Sequence, residues 1–443
     1  MKYLVLILCL LSALIKIHIS NQQPLLNDWD ERYHGVVASN ISEDHLWLRP
    51  TLYQNPVLRT DVGVWSRSHV WMHKQPLPFW TIGSSIHFFG RSTFGVRLPS
   101  ILMVSMAIFL TFLIGRSLFD EGSGFYAALL FSIHGLSNEL SIGVEATDHI
   151  DVHFMFWIAV AAYLVTASKM RSRYLKCALI GVTIGLAVLV KWLPAYTILL
   201  AYIAFELRNG KFLNVLLETA IIAVCSVIVW LPWQIYAYTS FPEVYLATQA
   251  HNFQHITQYL EGHENGYLFF LDKSIYNYGE IWILSIGLLI YYATKSNPER
   301  YRFLLLWIIV PLIFFSFVAT KMQGYVYFTA PAIFIASGVA LKAIYDWKKW
   351  HRLPIGKLLF ILGFVSPIVH FYESLHPREH DENLVARLQT LKNSDLDRTV
   401  IFNSPTPYND MFFLNVVASY DYVPDQRTLD SLRSVYTVIV EEE

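Results

Sequence analysis

The stretch from Asp28 to Ser100 reads DWDERYHGVVA at 28–38, LWLRPTLYQNP at 46–56, WMHKQPLPFW at 71–80 and FGVRLPS at 94–100. It carries adjacent acids at Asp30 and Glu31, a polar tripeptide at His73, Lys74 and Gln75, and many aromatic residues. Apolar runs lie on both sides of it. Its reading decides the fold: it is either a free soluble insertion or a loop that neighbouring helices hold against a membrane.

Composition favours the second reading. Of 443 residues, 54% are apolar and only 15% charged, against about 25% charged in ordinary soluble domains. Mean hydropathy is +0.40, as expected of a chain that crosses a bilayer many times. The formal net charge is −1, which gives no reason to expect a nucleic-acid partner. Cys9, Cys177 and Cys225 all lie in apolar runs with no disulfide or zinc spacing.

A spanning helix needs about 20 mostly apolar residues. Candidate runs fall at 3–19, 100–118, 122–140, 150–168, 174–190, 192–207, 212–236, 277–294, 303–319, 326–343 and 355–371. That is an all-α polytopic membrane protein of about eleven spans. The first run lacks a small-residue cleavage site and is followed by Lys16, so it is expected as a retained helix. With the N-terminus in the cytoplasm, the basic residues collect on the cytoplasmic side: Lys169, Arg171, Arg173 and Lys176 in one connection, Lys348, Lys349 and Arg352 in another. The short outer connections carry little beyond Lys191, Lys273 and Lys321. This is the positive-inside pattern, and a missed helix would invert part of it.

The outer face then receives the 20–99 loop, the 140–150 connection, the turn at Lys191, the 237–276 loop, the turn from Lys321 to Tyr325, and the tail. The expected organisation is a membrane unit over 1–371 and a small soluble α/β unit over 372–443 on that face. The tail's short apolar runs between turn residues suggest the latter.

Ionisable groups near a membrane surface usually face a cavity or a partner. Here they concentrate on one face. Asp30 and Glu31 are suited to hold a metal, act as a general base, or stabilise developing positive charge; they are equally suited to begin a helix. Lys74 precedes Pro76 and Pro78 and suits either a phosphate at headgroup depth or an interfacial anchor. Asp148 and Asp151, at i and i+3, share one face at a helix start. Lys191 interrupts LAVLVKWLPAY, and Lys321 with Tyr325 lies in ATKMQGYVYFTAP. Several lysines at one face make an anionic ligand credible. His73 and His263 are metal-ligand candidates, each without a second histidine at helical spacing. Asn40-Ile41-Ser42 has the form of a glycosylation sequon, which is common by chance.

Taken together, these motifs resemble the family 39 glycosyltransferases, the group of protein O-mannosyltransferases and lipid A aminoarabinose transferases with the GT-C fold. WDERYHGVVA, LWLRPTLYQNP, HKQPLPFW and FGVRLPS resemble the family's first-loop motifs. EATDHIDVHF, GLAVLVKWLPA and TKMQGYVYFTAPA resemble three further motifs in order. The resemblance implies a GT-C bundle and transfer of a sugar from a polyprenyl-phosphate donor to a lipid, glycan or protein acceptor at the outer face of a bacterial inner membrane. It implies catalytic roles among Asp30, Glu31, Asp148 and Asp151. Lys74, Lys191, Lys321 and Tyr325 would hold the donor phosphate, and His73 and His263 a divalent metal such as zinc or magnesium. Gln75 departs from the family, which has proline there. A lipid transporter or flippase is the alternative, marked by midplane charges and inverted repeats; the ionisable residues here gather at one face instead.

Overall fold

The computed structural model describes residues 1–144, 149–207, 212–295, 299–346 and 354–442. The predicted spans fall mostly on helix, and that over 277–294 is split at Gly279 between two helices. Among the described residues, seven helical segments are long and apolar enough to cross a membrane unaided. They are α1 (Lys2–Ser20), α4 (Thr93–Leu118), α7 (His149–Thr166), α8 (Arg173–Lys191), α10 (Phe212–Ser240), α14 (Glu299–Phe317) and the segment Gln323–Asp346, which is a 3-10 turn leading into α15 (Ala330–Asp346). Shorter apolar helices are α9 (Thr197–Glu206), α13 (Ile281–Ala293) and α16 (Pro354–Glu373). The span expected over 122–140 is broken into α5 (Glu121–Ser132) and α6 (Gly135–Ile142).

Packing follows from small residues and from paired polar ones. Gly115 of α4 lies against Gly124 of α5, so close that a Cβ on Gly124 would sit 2.6 Å from the Phe112 carbonyl oxygen. Backbones approach this closely in membrane bundles because lipid gives little hydrophobic drive between helices. The break before α6 has a polar cause. His134 bonds Ser137 at 2.8 Å, Ser137 bonds Tyr327 at 2.7 Å, Asn138 donates to Ser374 at 2.9 Å, and His370 meets Glu139 at 2.9 Å. α6 is buried throughout, with its polar groups turned to neighbouring helices instead of lipid.

The first loop is not a free insertion. It forms α2 (Asp30–Glu43), an irregular segment, and α3 (Leu77–Phe89), which packs against α2 and α4. Asn40 of the sequon is buried and donates to the carbonyls of Thr51 and Leu52 at 3.0 and 3.3 Å, an internal structural role. On the same side lie α11 (Pro242–Thr257) and α12 (Phe269–Tyr278). After α16 come α17 (Glu382–Lys392), β1 (Thr399–Phe402), α18 (Pro407–Leu414), β2 (Ala418–Ser419), α19 (Gln426–Arg433) and β3 (Thr437–Val440). The strands form a parallel sheet in the order β2-β1-β3. Arg387 is paired with Asp410 at 2.7 Å and with Glu441 at 2.6 Å, tying α17 to α18 and to the chain just after β3.

Candidate active site

The site begins with how α2 starts. Acids in a helix's first turn are favoured by its exposed amides, and Glu31 reaches back to accept from the Asn27 amide at 2.7 Å. Successive helical residues point about 100° apart, so the two acids part. Glu31 turns inward and is fully buried (0% exposed). Asp30 turns outward, and its Oδ1 lies 3.8 Å from Nζ of Lys74. Both side chains of that pair keep partial exposure, 17% for Asp30 and 22% for Lys74.

Glu31, expected beside Asp30 as a catalytic acid, is occupied otherwise. Arg97 donates to it from Nε at 2.6 Å and from Nη2 at 3.0 Å, and His149 Nε2 stands 3.2 Å away. Arg97 spends its other donors on the carbonyls of Ser20, Gln23 and Leu25 at 3.0–3.2 Å. All five guanidinium N–H groups are therefore used. Gly143 (φ +74°) makes room, since a Cβ there would meet Nη2 at 2.3 Å. Burial alone would raise the Glu31 carboxyl, but the Arg97 charge and the bonds from His149 and Arg97 outweigh it and hold the group well below the usual carboxylate range. Arg97 lies inside FGVRLPS, and its role was not evident from sequence because its partners are 66 or more residues away.

A second acid–lysine pair forms at the start of α7. Asp151 is paired with Lys191, whose Nζ stands 4.7 Å from the centre of the Tyr325 ring. Gly324 backs Asp151 so tightly that a Cβ would fall 2.0 Å from the carboxylate. Three of the residues expected to converge thus meet here. The same helix also reaches the first loop: His149 touches Glu31, and His153 bonds Thr81 of α3 at 2.8 Å. Asp148 lies outside the described residues. Lys321 stands elsewhere, its Nζ donating to the Asn265 carbonyl at 3.1 Å and lying 5.6 Å from the Tyr267 ring centre.

The metal candidates rearrange. His251 and His255 of α11 and Glu261 bring one ligand atom each within 4.8 Å of one another. The imidazole Nε2 atoms lie 3.7 and 3.8 Å from the Glu261 carboxylate, and Trp65 donates to it at 3.1 Å. His73 joins them, its ring 5.5 Å from that of His251. His263 does not: what it offers is its backbone carbonyl, to the Lys321 amide at 3.3 Å. Among the described residues, His73 Nδ1 and His251 Nε2 are buried with no hydrogen-bond partner. Burial, then the Lys74 charge, push the His73 imidazole well below its ordinary value, so it is neutral, the form that binds metal. Orphaned imidazole nitrogens beside a carboxylate suit zinc better than magnesium, which prefers oxygen ligands. The missed signal was HNFQH at 251–255, two histidines one helical turn apart.

Gln75 also finds a role. Gln234 Nε2 donates to its Oε1 at 2.8 Å, and Tyr245 donates to Gln234 at 3.3 Å. The buried amides fix the turn after Lys74 that a proline would otherwise stiffen. Gln234→Leu strands the Gln75 carbonyl oxygen and is expected to cost about 1–3 kcal/mol, read as a lower unfolding midpoint in detergent. Gln75→Pro in the same background should recover part of it; no difference between the single and double variants would refute the lock.

Residues 73–233 match the family described as dolichyl-phosphate-mannose-protein mannosyltransferase. An undecaprenyl phosphate-alpha-4-amino-4-deoxy-L-arabinose arabinosyl transferase of Pseudomonas fluorescens is 25% identical over 337 residues, covering 73% of this chain and 60% of that protein. The corresponding protein of Pseudomonas savastanoi pv. phaseolicola is 27% identical over 282 residues, covering 60% of this chain and 51% of that one. The chain thus spans about half to three-fifths of these relatives. Among solved structures, ArnT from Cupriavidus metallidurans bound to undecaprenyl phosphate superposes with a TM-score of 0.70 at 15% identity, covering 98% of this chain and 89% of that one. The archaeal oligosaccharyltransferase AglB from Archaeoglobus fulgidus gives 0.64 at 14% identity, covering 96% and 65%. The chain is a multi-pass integral membrane protein with the fold of the GT-C glycosyltransferases. Over residues 73–233 it is similar to the mannosyltransferase family, and the curated relatives it matches are named as arabinosyl transferases. The transporter reading finds no support in these matches.

Proposed function

We propose that this protein is a membrane glycosyltransferase that takes a sugar from a polyprenyl-phosphate donor and passes it to an acceptor at the outer face of a bacterial inner membrane. The observation that carries the reading is the Asp30–Lys74 contact of 3.8 Å, which sets a carboxylate beside an ammonium with both partly exposed; a second such pair is Asp151–Lys191. A transfer from a lipid phosphate to a hydroxyl uses both charges near one anomeric carbon.

In this reading Lys74 and Lys191 hold the donor phosphate, with Tyr325 beside Lys191. The acceptor oxygen attacks the anomeric carbon, the bond from carbon to phosphate oxygen breaks, and its electron pair leaves on the polyprenyl phosphate. The lysines stabilise that growing charge. Asp30 takes the proton of a hydroxyl acceptor; with a phosphate acceptor no base is needed and Asp30 positions the sugar. Asp151 orients Lys191, and Glu31 holds α2 in place. An apolar groove of about 470 Å³, lined by Ile256, Val310, Ile313, Phe314, Phe317 and Val318, lies just before Lys321 in the chain and suits a polyprenyl tail. The 372–443 unit stands on the same face as the loop.

His73, His251, His255 and Glu261 would hold a zinc ion, which supplies positive charge beside Lys74. Protein purified without chelator is expected to carry about one zinc per chain by mass spectrometry, and His255→Ala to weaken retention at least about tenfold. Zinc content that is negligible, or unchanged in the variant, would remove the metal from the account.

The test of function uses full-length protein in nanodiscs with undecaprenyl-phosphate-linked 4-amino-4-deoxyarabinose, the donor class named for its relatives, and with a hexose-linked donor beside it. Consumption of either, with release of undecaprenyl phosphate, is expected. Consumption of neither in the presence of lipid A, glycan and protein acceptors would overturn the reading.

A further inference from the structure

The segment that carries Asp30 is gripped from two directions. Glu31 and Arg97 hold it to the membrane bundle. The opposite grip comes from α18, nearly 380 residues later in the chain. Asn409 is almost wholly buried, at 1% exposed. Its Oδ1 accepts from the Leu26 amide at 3.0 Å and its Nδ2 donates to the Leu26 carbonyl at 3.4 Å. One side-chain amide thus serves both backbone groups of Leu26, as a neighbouring strand would. Residues 21–29 are irregular, and buried backbone groups there need such a partner.

Tyr408, the preceding residue, donates its hydroxyl to the Ser66 carbonyl at 2.8 Å. Its ring centre lies 4.3 Å from that of Tyr33 and 5.0 Å from the Arg32 guanidinium carbon. Arg378 pairs with Asp28 at 2.9 Å. These anchors fall at residues 26, 28, 32 and 33, on both sides of Asp30. We propose that Asn409 and Tyr408 are positioning residues for Asp30, so that the tail is part of the active site. This rests on the reading of Asp30 given under Proposed function. The mechanism is geometric: a carboxylate displaced by about 1 Å from its reacting partner loses on the order of a hundredfold in rate. Donor binding depends on Lys74 and Lys191, which lie outside the 26–33 segment.

The experiment reads hydrogen exchange and turnover on the same full-length protein in nanodiscs. Asn409→Leu is expected to raise exchange at the amides of 26–33 at least about tenfold, with β1 and the membrane helices unchanged. It is expected to lower kcat about tenfold or more, with donor KM within about twofold. Unchanged exchange at 26–33 overturns the proposal, as does raised exchange with wild-type kcat. If Asn409→Leu also loosens β1, Tyr408→Leu decides. It removes the ring packed on Tyr33 and Arg32 and should raise exchange at 26–33 and lower kcat by about two- to fivefold with β1 intact; wild-type kcat and exchange in that variant overturn the proposal. A wild-type protein that consumes no donor overturns the role of Asp30 instead, and the exchange arm still decides whether the tail holds the segment.

Discussion

Asp30→Asn is expected to lower sugar transfer by about 10²–10⁴-fold, the usual worth of a positioned general base, in a protein that folds normally. The substitution keeps shape and hydrogen-bonding reach and removes only charge. Asp30 is partly exposed and 3.8 Å from Lys74, so losing the carboxylate leaves no deeply buried charge stranded. Lys74 is released from its pairing with Asp30, so donor KM should hold or fall. The size of the loss also reports the acceptor. A hydroxyl acceptor needs its proton removed and should show the full loss; a phosphate acceptor needs no base and should show about tenfold or less. Asp151→Asn should behave differently. Its partner Lys191 is held over Tyr325, and a lysine without its orienting acid should raise donor KM more than it lowers kcat. Steady-state kinetics with a labelled donor separate the two. A folded Asp30→Asn protein with wild-type kcat sinks the assignment outright.

The difference between Asp30 and Glu31 shows where sequence reading stops. Two adjacent acids are equivalent on paper. Only the helix that they begin turns one inward to Arg97 and the other outward to Lys74. The spans were legible because bilayer thickness dictates run length, and charge asymmetry between the faces fixed their parity. The break at Ile133 and His134 was not, since its cause is side-chain pairing with Tyr327, Ser374 and His370 far along the chain. Long-range pairing also hid Arg97, Asn409 and Gln234. The His251–His255 pair is different in kind, since its i, i+4 spacing on α11 is readable in the sequence, unlike any partner for His73 or His263. Of these only His73 stands with the cluster, because the 71–76 segment packs against α11.

Arg97→Met is expected to have the largest structural effect of any single change, larger than Glu31→Gln. Removing one partner of a buried ion pair costs about 3–5 kcal/mol, because the other charge is left without compensation. Arg97→Met leaves the Glu31 carboxylate in that position and also frees the carbonyls of Ser20, Gln23 and Leu25. Glu31→Gln keeps an acceptor for Arg97 and strands no carbonyl. For the same reason the double change to Glu31→Met and Arg97→Met should not recover wild-type stability, as an isolated buried pair often does: three backbone acceptors remain unserved. Protease cleavage between residues 20 and 30 in detergent reads the effect directly, with Arg97→Met cut fastest. The pH dependence supplies a second signature. The Glu31 carboxyl is depressed in the folded protein, so its contribution is complete above the unfolded value of about 4.3 and is lost only as the pH falls below that, toward the folded value. Wild-type protection at 20–30 should therefore hold from pH 7 down to about 4.5. Cleavage that rises steadily across that interval in wild type, and not in Glu31→Gln, would show that Glu31 is not held ionised by Arg97.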